Sequence, residues 1–120
     1  MSDTPVIDLE AIANLRSLNP GDNDEFLNEI VNIFLADTPL RIAELEQSLP
    51  VGDIPKFARS AHSIKGSSAN LGAMRLRAVA EKLEHLSRKE GLVGVAPLLD
   101  EIKAQFDLVR VELEKLLAAK

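Results

Sequence analysis

The chain has 120 residues, 46% of them apolar and 28% charged, and this length and balance are typical of a single globular domain. It carries 14 basic and 19 acidic residues, a net charge of −5, without a basic cluster, so nucleic acid is a poor partner. There is no cysteine, which excludes disulfides, a cysteine nucleophile and cysteine-based zinc sites, and agrees with a reducing cytoplasm.

The N-terminal segment gives no sign of export or membrane insertion. Its first ten residues, MSDTPVIDLE, are acidic and lack the apolar stretch of a signal peptide. Further along the chain, no apolar run approaches the roughly 18 residues that a membrane-spanning helix needs. We therefore expect a cytoplasmic protein without a membrane partner, folded as one domain over residues 1–120.

Apolar spacing and helix-breaking residues divide the first half of the chain into two helical segments. A short amphipathic helix is expected over 7–18 with Asp8 as its N-cap, followed by a loop, NPGDND, at 19–24. From 25 to 49 apolar residues recur in steps of three and four, and Pro39 predicts a kink or a break near Thr38. The apolar positions form two groups: Phe26, Ile30 and Ile33, then Ile42, Leu45 and Leu49.

Three further helices are expected after short loops. Asp53, at the end of the loop over 49–53, can cap a third helix that Asn70 and Gly72 end or bend. A fourth helix closes in residues 88–94, and a last one runs from about 95 to 117. Their inward positions are Ile54, Phe57, Ala61, Ile64, Ser68 and Leu71; Leu76, Val79, Leu83 and Leu86; and Leu99, Ile102, Phe106, Val109, Leu113 and Leu116. No segment shows sustained alternation of period two. We therefore predict an all-α fold, an antiparallel up-down four-helix bundle with a short additional N-terminal helix as a lid.

The third helix contains an unusual group of residues in the segment AHSIKGSSANLGA, residues 61–73. If Ala61 and Ile64 face the core, His62 lies about 100° round the helix, at the surface. Lys65 and Gly66 follow it by one turn, and no other large side chain flanks the ring. Because a Gly inside a helix costs about 1 kcal/mol relative to Ala, an outward-facing Gly66 favours the close approach of a partner.

This segment resembles the signature of histidine-containing phosphotransfer (HPt) domains: a His, a Lys three residues later, then Gly, small residues and a Leu-Gly-Ala close. The resemblance extends to FLADTP, LEHLSRKEG and LLDEIKAQFDLVRVELEKL, and so to nearly the whole chain. It implies that His62 accepts a phosphoryl group from the aspartyl phosphate of a receiver domain and passes it to another receiver. Lys65 would stabilise the charge of the transferring oxygens, and Gly66 would leave room for the receiver.

The resemblance also implies a residue that orients the imidazole. In several family members a polar residue on the next helix, often Gln, accepts a hydrogen bond from the His, and the matching position here is Glu84. The alternative for Glu84 is an ordinary exposed glutamate on a helix surface.

A docking surface for the receiver is expected around His62. Helix geometry places Ala58 and Ala69 beside the ring, with Arg59 at the rim. Further apolar candidates are Phe34 and Leu35 on the second helix and Ile7 or Ala11 on the short first helix. Each of these apolar residues could equally belong to the core.

The family role implies a phosphoryl carrier rather than an enzyme, a monomer with no ATP or metal site and no cofactor of its own. Its partners would be receiver domains of response regulators or hybrid histidine kinases, and the Mg²⁺ for transfer would come from the receiver. The initiating Met favours a freestanding protein, although a domain cut from a hybrid kinase would look the same.

Two alternatives stay open. One is a helical adaptor that binds a receiver or a kinase without being phosphorylated. The other is a metal-binding bundle that uses His62 and His85, a pair without cysteines or a His-x3–5-His spacing to support it. His85 is otherwise expected to be structural or solvated. The segment GDNDEF at 21–26 lacks the later spacing of a calcium loop, and KGSS lacks the upstream Gly of a P-loop.

Overall fold

The computed structural model describes residues 4–18, 21 and 24–118, and the elements found there are five α-helices. They are α1 (Leu9–Ser17), α2 (Glu25–Val51), α3 (Ile54–Asn70), α4 (Met74–Glu90) and α5 (Ala96–Ala118). The helices α2, α3 and α4 each pack on the next one, α5 packs back on α2, and α1 packs on α2. The predicted all-α bundle with an added N-terminal helix is confirmed. Of the predicted loop at 19–24, only Gly21 and Asp24 lie within the described residues.

Side-chain caps fix the starts of α1 and α3 where the sequence predicted them. The Asp8 carboxylate accepts a hydrogen bond from the Glu10 backbone N–H at 3.0 Å, and the Asp53 carboxylate accepts one from Lys56 at 3.1 Å. Each cap satisfies a backbone donor that the helix itself leaves unpaired, which is worth about 1 kcal/mol. Pro55, in the first turn of α3, occupies a position where its missing N–H costs nothing.

Of the kink or break predicted near Thr38, the break is wrong, because α2 continues through Pro39. A proline inside a helix removes one backbone hydrogen bond and costs about 3 kcal/mol. Phe34 before the proline and Ile42 and Leu45 after it are all buried in the same core. Burial of a large apolar side chain is worth about 1.5–3 kcal/mol, so packing on both sides of Pro39 offsets its local cost.

The buried stripe of the first half of α2 lies one residue away from the predicted one. Leu27, Val31 and Phe34 are buried, whereas Ile33 is 60% exposed. Phe26 and Ile30, which were expected on the same stripe as Ile33, are only partly buried. The stripe continues through Thr38, Ile42, Leu45 and Ser48. Phe34 is therefore a core residue, and the ring contact it makes with Phe106 of α5, at 5.8 Å between centroids, joins two sides of the bundle.

The turn between α3 and α4 is built against the N-terminal segment. Gly72 has φ +72, and a Cβ placed on it would lie 2.7 Å from Cβ of Ala11 and 2.9 Å from the Asp8 carbonyl oxygen. The Asp8 backbone N–H donates to the Gly72 carbonyl at 2.9 Å. Only a glycine combines this left-handed backbone with so close an approach, so Gly72 fixes both the end of α3 and the seat of α1.

Candidate functional site

His62 lies on the outer surface of α3, as its position in the sequence predicted. The neighbouring Ala61 and Ile64 are fully buried, which turns the imidazole outward, and the His62 side chain is 62% exposed. The ring therefore stands on a helix with most of its surface open to an approaching molecule.

The Glu84 carboxylate of α4 reaches one edge of the imidazole. His62 Nδ1 lies 3.0 Å from Glu84 Oε2 and 3.2 Å from Oε1. An ionised carboxylate can only accept hydrogen bonds, so Nδ1 carries the proton and donates it. In a neutral ring this places the lone pair on Nε2, at the edge turned away from Glu84. The Glu84 side chain is only 13% exposed, so the exposed helix-surface glutamate of the alternative interpretation is not what the structure places here.

Two cations share the Glu84 carboxylate with His62. Lys65 Nζ lies 2.9 Å from Oε1, and Arg88 Nη2 and Nε lie 3.3 Å from Oε2. Burial alone would raise the pKa of Glu84. The hydrogen bonds from Lys65 and His62, together with their charges, outweigh that effect and hold the pKa below its ordinary value. Glu84 is therefore an anion at neutral pH, and it fixes both the ring and the two cations.

Gly66 leaves open space beside the ring. It lies inside α3, and a Cβ built on it would meet no atom within 4 Å apart from its chain neighbours and the backbone of its own helix. Helix packing therefore does not explain this glycine, and the bare backbone lies on the surface that carries His62.

The predicted docking residues divide into exposed and buried ones. Arg59 is exposed, and Ala69 and Leu35 are half-buried, as is Ala11. Ala58 is fully buried, so its expected place in an exposed docking surface is wrong, whereas Phe34 and Ile7 are buried in the core, the alternative that the sequence left open for them. Ala58 is buried because α3 packs between two neighbours, α2 and α4, and therefore buries the flanks of its inward seam as well.

Two exposed residues on the helices of the site and its neighbour α2 were missed by the sequence reasoning. Ile33 of α2 is exposed and lines a small cavity of about 150 Å³ together with Ser67 and Asn70 of α3. The second is Arg88, whose spacing of four residues from Glu84 on one helix was an available signal for an ion pair.

A larger open groove runs along α4 beside Lys65. It measures about 500 Å³ and is lined by Lys65, Glu84, Arg88, Lys82, Glu81, Ala78 and His85. His85 is exposed at this groove. Among residues 4–18, 21 and 24–118, no three His, Cys, Asp or Glu side chains are grouped closely enough to hold a metal ion. In the part of the chain that the structure describes, no helix combines the length and apolar character needed to cross a bilayer.

Comparison with known sequences gives one consistent family. The Hpt domain family model matches residues 29–118. Multistep phosphorelay regulator 1 of Schizosaccharomyces pombe is 30% identical over 101 residues, which cover 84% of this chain and 34% of that protein. Histidine-containing phosphotransfer protein 1 of Arabidopsis thaliana is 27% identical over 104 residues, covering 85% of this chain and 68% of that protein. The chain thus spans about a third of the first relative and two thirds of the second.

Solved structures agree with these sequence matches. The crystal structure of histidine-containing phosphotransfer protein B from Pseudomonas aeruginosa PAO1 is similar with a TM-score of 0.86 and 28% identity, covering 98% of this chain and 99% of that one. The crystal structure of histidine-containing phosphotransfer protein ZmHP2 from maize has a TM-score of 0.82 at 24% identity and covers 95% of this chain and 88% of that one, a likeness of fold.

Proposed function

Because the chain belongs to the Hpt domain family and has a phosphorelay phosphotransfer role, we propose that His62 is the residue that carries the phosphoryl group. It accepts the group from the aspartyl phosphate of one receiver domain and passes it to the aspartate of another. One observation carries this proposal: the exposed imidazole on α3 has its Nδ1 held 3.0 Å from the Glu84 carboxylate, which leaves Nε2 as the free nucleophile.

The transfer step follows from this arrangement. The Nε2 lone pair of His62 attacks the phosphorus, a P–N bond forms, and the P–O bond to the donor aspartate breaks with its electron pair left on that carboxylate. The proton stays on Nδ1, so the ring becomes positively charged. Glu84, anionic and in hydrogen-bond contact with Nδ1, offsets the charge that develops there. The reverse step at a second receiver regenerates the neutral ring.

Lys65 and Gly66 act on the phosphoryl side of the reaction. Phosphoryl transfer depends on positioning and on charge stabilisation more than on covalent chemistry by the protein. Lys65 supplies a cation one helical turn from His62, and it becomes more effective when a docked receiver excludes water. The open backbone at Gly66 lets the acidic edge of the receiver come within reach of Nε2.

The partners in this role are receiver domains of response regulators or hybrid histidine kinases. Receivers would dock over Arg59, Ala69 and Leu35, and the exposed Ile33 extends that surface along α2. The Mg²⁺ for the reaction belongs to the acidic pocket of the receiver, and the role requires no ATP site in this chain. In this proposal residues 1–120 act as one domain, a cytoplasmic monomer that carries phosphate without being an enzyme.

The test is phosphorylation by a receiver. The protein is incubated with a phosphorylated receiver domain, and acid-labile, alkali-stable phosphate is sought on the chain. We expect His62→Ala to abolish the label while the circular dichroism spectrum stays that of the folded protein. His85→Ala is the matched control because His85 is the other histidine of the chain and is exposed, so it should keep the label. Absence of label with every phosphorylated receiver tried, or label on His62→Ala, would remove His62 from the role.

A further inference from the structure

The resting position of Lys65 conflicts with its proposed task. Its Nζ lies 2.9 Å from Glu84 Oε1, on the carboxylate that holds Nδ1 of His62. The phosphoryl group forms on Nε2, at the other edge of the ring. To stabilise the phosphoryl oxygens, Lys65 must therefore turn away from Glu84.

Releasing Lys65 would be unfavourable if nothing replaced its charge. The Glu84 side chain is 13% exposed, and a largely buried carboxylate that loses its cation bears a desolvation cost without compensation. In the form that reacts, with its lone pair on Nε2, the His62 ring supplies a hydrogen bond to Glu84 but no charge. A second cation on Glu84 would remove this penalty.

Arg88 is placed to be that second cation. Its Nε and Nη2 both lie 3.3 Å from Glu84 Oε2, whereas Lys65 contacts the other oxygen, Oε1. Arg88 follows Glu84 by four residues on the same helix, an order that favours the ion pair, and its guanidinium stays charged at any working pH. Lys65, by contrast, reaches Glu84 from α3, so its bond can break without disturbing α4.

We propose that Arg88 is a positioning residue that keeps Glu84 paired, so that Lys65 is free to leave the carboxylate and contact the phosphoryl group on His62. Oε2 holds both Nδ1 and Arg88, and these contacts persist while Oε1 loses Lys65. The ring thus stays oriented throughout the exchange. The inference rests on the proposed role of His62 and adds a residue that does not touch the reacting atoms.

The experiment compares Arg88→Ala with Arg77→Ala. Arg77 also belongs to α4, also pairs with a glutamate four residues away, Glu81, at 3.3 Å, and is 38% exposed, so it is a matched control. Single-turnover transfer from a phosphorylated receiver is measured at saturating receiver, and receiver affinity is measured separately. We expect Arg88→Ala to slow transfer about two- to fivefold, the range of a solvent-accessible ion pair, with affinity unchanged. Arg77→Ala should transfer at the wild-type rate, and Arg88→Lys should restore most of the loss.

A double-mutant cycle with Glu84→Gln separates positioning from a general structural effect. A neutral amide needs no counter-charge, so Arg88→Ala should have no further effect on transfer in the Glu84→Gln background. The proposal is overturned if Arg88→Ala transfers phosphate as fast as Arg77→Ala, or if Arg88→Lys fails to restore the transfer rate. It is also overturned if Arg88→Ala slows transfer in the Glu84→Gln background as much as in wild type. In each of these cases, the proposed function still holds if wild type is labelled and His62→Ala is not. If His62→Ala is labelled, both the proposed function and the role of Arg88 are wrong.

Discussion

Replacing Gly66 by Ala should stabilise the fold and slow phosphotransfer at the same time. Apart from its chain neighbours and the backbone of its own helix, a methyl group at this position meets no atom within 4 Å, so it adds neither a tertiary contact nor a tertiary clash. The gain in the free energy of unfolding is then that of Gly to Ala in a helix interior, about 1 kcal/mol. A chain of 120 residues has an unfolding entropy of about 0.25 kcal/mol/K, so the melting temperature should rise by about 4 °C. The same methyl group stands where the receiver must approach, and a displacement on the ångström scale can reduce transfer by about tenfold or more.

Thermal unfolding followed by circular dichroism and single-turnover transfer from a phosphorylated receiver measure the two effects on one sample. Asp107→Ala supplies the control, because it replaces an exposed residue of α5, which packs on α2 and α4 rather than beside His62. It removes only a long, exposed contact to Arg110, at 3.9 Å, so the gain in helix propensity should raise stability by up to about 0.5 kcal/mol and leave transfer unchanged. A stabilised Gly66→Ala variant that transfers at the wild-type rate would refute the clearance role. A destabilised variant would refute the open geometry at this position.

Three further changes test other parts of the structure. Gly72→Ala should lower the free energy of unfolding by about 2–4 kcal/mol, because φ +72 and the 2.7 Å approach to Ala11 leave no room for a methyl group. Urea unfolding measures this loss, and a loss under about 0.5 kcal/mol would contradict the prediction. Lys65→Ala should slow transfer at saturating receiver more than it weakens receiver binding, and the opposite pattern in rapid-quench rates and titrated affinities would place Lys65 in docking instead. The lowered pKa of Glu84 means that its ionised form stabilises the fold above the ordinary carboxyl range and that this stability is lost as pH falls through the lowered pKa. The stability difference between wild type and Glu84→Gln should therefore shrink below about pH 4, and a pH-independent difference in urea unfolding would disprove the coupling.

Spacing alone predicted the helices well, because breakers and caps act locally. The inward-facing residues of α2 were harder to predict from the sequence. Between Ile30 and Leu35 most residues are apolar, so two stripes offset by one residue satisfy the helical period equally well. Which stripe is buried depends on where α3 and α5 lie, and in the structure Val31 and Phe34 are buried instead of Ile30 and Ile33. The continuation of α2 through Pro39 has the same cause, since tertiary packing outweighed a local rule.

The candidate site was also predicted only in part from spacing within single helices. The exposure of His62 and the place of Lys65 one turn later follow from the helical repeat of α3. The contact of His62 with Glu84 depends on the register between α3 and α4, which no spacing within one helix defines, and the family resemblance suggested it. Arg88 needed only a short-range rule once Glu84 was placed, because the two are four residues apart on one helix.

We expect α1, seated on Gly72, to exchange its amide hydrogens as a unit separate from the rest of the fold. α1 lies before the stretch matched by the family model, residues 29–118, and Ile12 is its buried residue. Two hydrogen bonds tie the segment before α1 to the rest of the fold: the Asp8 amide donates to the Gly72 carbonyl in the α3–α4 turn, and Arg75 in the first turn of α4 donates to the Thr4 carbonyl at 2.6 Å. If α1 opens at a lower free energy than the core helices, the bundle below it stays intact. Hydrogen exchange at the Asp8 amide therefore measures undocking of α1, whereas amides deep in α3 and α4 measure global unfolding.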